Sequence, residues 1–174
     1  MFFAKKTQAS PHLLPNHSLI ELEKLKNDYT EQLRKINLHI SHVENNLNAL
    51  SEQVNAENIK LINLENNTTA IQLKEEQRME MLANYRQDNS ADTYMQRMFL
   101  LSHSPQTSHD LEMQQIKKNI LELQSQINLQ KQAQYRYLQN QKDTLQKLKH
   151  LNEKLTAQDK ESAQENLSMM NRHD

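Results

Sequence analysis

The sequence predicts an all-α protein, an elongated antiparallel two-helix coiled-coil hairpin with a short third helix at the tip and a disordered N-terminal arm. Three observations lead there. Over two long stretches apolar residues recur alternately three and four positions apart, the 3.5-residue spacing that keeps one stripe of a helix against a partner helix. The 174 residues include no glycine, so tight hairpin turns and phosphate-cradling loops lose the residue that tolerates positive φ. The apolar fraction is 36% and the mean hydropathy -0.95. A rounded core needs the usual share of about 45–50%, whereas paired helices need only a narrow seam.

Residues 1–17 hold two of the three prolines, Pro11 and Pro15, and show no periodicity, so they read as the arm. Ser18-Leu19-Ile20-Glu21 has the pattern of a capping box and predicts a long helix over 18–87. Its seam consists of Leu22, Tyr29, Ile36, Val43, Leu50, Glu57, Leu64, Ile71, Arg78 and Tyr85, interleaved with Leu33, Ile40, Leu47, Val54, Leu61, Thr68, Glu75 and Leu82. That register runs without a stutter.

Residues 88–107 form a connector. Asp88-Asn89-Ser90 reads as a break and a new cap, and 91–101 as a short apolar helix. The second long helix is expected over 108–158, started by Thr107 or Ser108 just after Pro105. Its seam runs from Met113 and Ile116 to Leu151 and Leu155, and polar Gln130, Gln134, Gln141 and Thr144 weaken its middle. Residues 159–174 form a polar tail.

Charge suggests how the two long helices pair. From Glu52 to Leu82 six acidic residues face three basic ones, and from Ile116 to Lys149 seven basic residues face two acidic ones. Folding back about the connector is expected to bring Glu75 and Arg78 near Lys118 and Glu122, with Glu57 near the Gln-rich middle. Exposed pairs contribute only about 0.2–1 kcal/mol each, so charge selects the alignment while the apolar seam supplies stability. A dimer of hairpins satisfies the same pattern.

Composition excludes several function classes. With no cysteine there are no disulfides, thiolate zinc sites or cysteine nucleophiles. A net charge of -1 gives no general pull toward nucleic acid or anionic membrane. No apolar run approaches the roughly 20 residues that span a bilayer, and Met1-Phe2-Phe3-Ala4-Lys5-Lys6 is too short for a secretory signal. The expected location is cytoplasmic, with export by a non-Sec bacterial secretion system as the alternative.

No catalytic, cofactor or metal site is expected. His39 and His42 share a helix face but lack a third ligand on the next turn. Glu75 and Glu76 point to different faces and cannot act as an acid and base pair. The candidate sites are therefore surfaces for protein partners. The first is the tip cluster Tyr94, Met95, Met98, Phe99 and Leu101, where Met and aromatic side chains suit partner recognition or else fold back to cover the hairpin end. A weaker one is Phe2, Phe3, Leu13 and Leu14 in the arm. Leu25, Leu38, Ile59, Ile62, Leu73 and Met81 lie off the seam and could receive a third helix, from a partner or from another copy.

Two long helices joined near the middle of a small, charged, Cys-free chain resemble the central-stalk hairpins of bacterial type III secretion and flagellar export ATPases. The resemblance is architectural, and the apolar connector departs from that pattern. Asp159-Lys160-Glu161-Ser162-Ala163-Gln164-Glu165-Asn166-Leu167-Ser168-Met169-Met170 looks like the polar, Glu-containing tails of type IV-secreted bacterial effectors. These likenesses imply a bacterial coiled-coil adaptor or scaffold associated with a secretion system. The alternatives are a translocated effector that binds host helical bundles and a self-assembling structural rod.

Overall fold

The structure, a computed structural model, describes residues 14–86 and 90–172, with side chains from Leu19 onward in the first helix. Among these residues four helices follow in order: α1 (Leu14–Asn66), α2 (Thr68–Tyr85), α3 (Ala91–Ser102) and α4 (Pro105–Asn171). The fold is an all-α helical hairpin, with no strand among the described residues. The chain divides into two compact units, Met1–Glu44 with Gln132–Asp174, and Asn45–Lys131.

In the first unit α1 and α4 run antiparallel. Gln141 donates from Nε2 to Asn37 Oδ1 at 2.7 Å, His39 stacks on Tyr137 with centroids 5.1 Å apart, and Lys147 lies 5.6 Å from the centre of the Tyr29 ring. Ile40, Val43, Thr144 and Leu151 are buried, and the other seam positions are half-buried.

In the second unit α1 again meets α4 antiparallel, through Asn119 with Glu57 and His109 with Leu64, while α3 packs along α2. Ile116 is buried here. Every seam position named above is buried or half-buried, the polar ones included. Heptad spacing therefore located the contact line, to which the neighbouring off-register Asn46, Asn119 and Ala133 also contribute half-buried side chains.

The boundaries differ from expectation in four places. The helix expected from Ser18 begins at Leu14, because proline in a first turn needs no N–H partner and its φ already suits a helix. Of the expected arm, residues 1–13 lie outside the described residues. The long first helix is interrupted at Asn67, whose amide is shared between the carbonyls of Asn63 and Leu64, each at 3.2 Å. α4 starts earlier than Thr107 or Ser108. Pro105 takes the first helical position and Ser104 accepts the Thr107 amide at 3.1 Å, a cap with proline where no amide is required. Finally, the polar tail is helical to Asn171, since its Ala, Gln, Glu, Lys, Leu and Met are good helix formers and no Gly or Pro intervenes.

The pairing of charges is also corrected. Glu75 meets Ser104 and Gln106, not Lys118 and Glu122, and Glu57 meets Asn119, not the Gln-rich stretch. The cause is α3. The sequence places it in a connector, whereas in the structure it lies along α2 as the first segment of the returning chain, which displaces all that follows.

Core packing predicts a contrast within α4. Ile116→Ala should lower unfolding stability by about 2–3 kcal/mol, toward the lower range for a buried aliphatic side chain. Leu121→Ala, on the exposed side, should change it by less than about 0.5 kcal/mol. Urea unfolding followed by circular dichroism measures both.

Candidate functional site

α3 is built inside out. Ser90 caps it in an extended conformation, accepting the Thr93 amide at 3.3 Å, and Ser90 Oγ lies 2.6 Å from Thr93 Oγ1. Thr93 is buried, and Arg97 and Leu100 are half-buried. These three, spaced four and three apart, form the inner face.

At about 100° per residue the opposite face follows directly. It runs from Leu101 and Tyr94 through Met98 to Met95 and Phe99, an arc of roughly 160° with no charged residue in it. Asp92 and Arg97 stand on its two flanks. The five apolar side chains are between 50% and 69% exposed. All five tip residues singled out from the sequence thus share one solvent-facing surface.

α2 extends that surface on one side. Met81 and Tyr85 of α2, with Met95, Gln96, Phe99 and Leu100 of α3, line an open groove of about 440 Å³. Phe99 also stacks on His103, with centroids 4.2 Å apart, and the His103 Nδ1 lies 2.9 Å from the Phe99 carbonyl. One edge of the face is thereby held in place.

Polar contacts fix α3 where apolar packing does not. The Arg78 Nη1 donates to the Leu100 carbonyl at 2.7 Å, in the last turn of α3. Arg78 Nε also donates to both Glu75 carboxylate oxygens, at 3.2 and 3.1 Å. Glu75 in turn accepts from the Ser104 hydroxyl at 3.0 Å and from the Gln106 amide at 3.5 Å, at the start of α4. The Arg78 guanidinium, with lesser help from Ser104 and the Gln106 amide, holds the Glu75 carboxyl below its ordinary range against the opposing effect of desolvation. Glu75 correspondingly raises Arg78.

Other sequence candidates are dispersed. Phe2, Phe3 and Leu13 lie outside the described residues, and Leu14 is described only as backbone in α1. Leu25, Leu38, Ile59, Ile62, Leu73 and Met81 are all exposed, as their off-seam spacing requires. Among the described residues no three of His, Asp and Glu come together to hold a metal ion, and no helix is long and apolar enough to cross a membrane.

Sequence reasoning missed two arrangements. The groove needs α2 and α3 side by side, which periodicity within either helix does not reveal. The Glu75, Arg78, Ser104 and Gln106 cluster did leave a trace, because Glu75 and Arg78 occupy successive seam positions where apolar residues are expected. Comparisons with protein-family models, curated proteins and solved structures give no significant match.

The Glu75 contacts carry a pH dependence of known sign. A folded-state pKa below the unfolded value stabilises the fold above about 4.5, and that contribution disappears as pH falls through the folded value. Thermal melts between pH 7 and pH 3 should show wild type losing more stability below pH 4.5 than Glu75→Gln, which has no carboxylate to protonate.

Proposed function

We propose that the chain is a non-enzymatic interaction module, an adaptor or scaffold, that offers the outer face of α3 to an apolar helical surface on another polypeptide. The observation that carries this reading is the polarity of α3, with Thr93, Arg97 and a single large apolar residue, Leu100, turned inward and Tyr94, Met95, Met98, Phe99 and Leu101 turned to solvent. Scattered exposed apolar residues are ordinary on a protein surface, but a contiguous uncharged face of two Met, two aromatics and a Leu is not.

The chemistry suits protein recognition. Unbranched Met side chains adapt to irregular partner surfaces, and aromatic side chains dominate the energetics of interfaces. A partner helix laid across the face would meet positions spaced as in other helix-in-groove complexes. The adjoining groove beside Met81 and Tyr85 gives such a helix a place to seat a side chain.

The double substitution Met98→Ser with Phe99→Ser tests the reading. It should leave helicity and melting temperature close to wild type while reducing binding of a hydrophobic dye. Loss of helicity would assign these side chains to the protein's own core, and the reading would fail.

A further inference from the structure

We infer that the occupant of the α3 face is the α3 face of a second copy of this chain, packed antiparallel across a two-fold axis. The inference rests on the reading of that face given above and names its partner.

The first argument is a local palindrome. Tyr94-Met95-Gln96-Arg97-Met98-Phe99 reads aromatic, Met, polar, polar, Met, aromatic in either direction. On the helix the two Met lie about 30° to either side of the centre of this set and the two aromatics about 70°. A two-fold axis passing midway between Gln96 and Arg97 therefore sets Met95 level with Met98 of the second copy, and Tyr94 level with its Phe99. Isologous contacts need such a surface, in which residue i meets j and j meets i.

The second argument is charge. The arc holds no charged side chain, so closing it against itself desolvates none. The chain carries a net charge of -1, so two copies meet little repulsion. A strongly acidic or basic partner would find nothing in the arc to pair with.

The third argument is area. With Met81 beside them, the five side chains offer a patch on the order of 500 Å². Two such faces approach the low end of the about 1,200–2,000 Å² buried in specific interfaces. The dimer should accordingly be reversible and dependent on concentration.

Light scattering on the full chain from about 1 to about 300 µM, a range that brackets modest affinities, should show the mass rising from 20.6 kDa toward twice that value. The variant Met98→Ser with Phe99→Ser should stay at the monomer mass with its helicity intact. Because the chain has no cysteine, Met98→Cys places a single thiol close to the proposed axis. With a diazene oxidant such as diamide added to take up the two electrons and two protons, it should form disulfide-linked dimers at least about tenfold faster than Leu121→Cys, whose thiol is exposed on α4 and meets its copy only by collision. Wild type that remains monomeric throughout, or equal rates at the two thiols, overturns the second copy as occupant but leaves the outward face available to another protein. Undiminished dimerisation of the double variant overturns it too, by moving association elsewhere. Only collapse of helicity in the double variant would remove the face itself.

Discussion

The returning half of the second unit depends on one ion pair, Glu75 with Arg78, placed where two helix ends meet. Arg78 donates to a carbonyl in the last turn of α3, and Glu75 accepts from a hydroxyl and an amide at the first turn of α4. Each charge thus sits at the helix end of opposite partial charge, where the orphaned backbone groups also need partners. Ion pairs on open surfaces contribute little, but these side chains are only 13% and 22% exposed for Arg78 and Glu75. With three separate groups satisfied, the pair ties the last turn of α3 to the first turn of α4. Loss of either member would leave the other a half-buried charge without its ion partner and would remove the link between the two helix ends.

A second polar contact acts farther along the same unit. His109 is buried, and its Nε2 donates to the Leu64 carbonyl at 2.8 Å. That carbonyl also receives the Asn67 amide at 3.2 Å and the Thr68 hydroxyl at 3.4 Å. Drawn toward the opposite helix, it serves the tighter three-residue bond at the point where α1 gives way to α2. The other ring nitrogen is buried with no hydrogen-bond partner among the described residues, and the Asp110 carboxylate is 3.8 Å away, beyond hydrogen-bonding range. The seam therefore includes a donor whose position is matched to one carbonyl, and sliding the helices by a heptad would leave that donor unpaired at a cost of about 1–3 kcal/mol.

These contacts explain what could be read from the sequence. Seam positions such as Ile40, Val43, Ile116 and Leu151 were legible because a 3.5-residue period determines which side of a helix meets another. Alignment was not, because apolar seams can slide by sevens with small loss, and the selecting groups are polar. Charge totals over thirty-residue windows favoured Lys118 as a partner for Glu75, yet uncharged Ser104 and Gln106 supply the actual contacts. In α3 the apolar composition was evident. The direction of its apolar side was not, since Thr93 and Arg97 look like solvent-facing residues until Arg97 is seen half-buried and Thr93 buried.

The same polarity bears on function. A helix usually spends its apolar face on its own fold, and its surface is then polar. α3 is instead positioned by the Ser90 cap, by the Arg78 contact with Leu100 and by a narrow inner line, so most of its apolar area is not used in folding. Covering half or more of each of the five outer side chains, together with an equal area of the facing surface, would release on the order of 10 kcal/mol, before the cost of association is subtracted. An excess of that size is enough for a reversible contact and too little for an obligate one. The polar contacts and the exposed face are therefore two sides of one arrangement, because hydrogen bonds that hold α3 in place leave its apolar side chains free to hold something else.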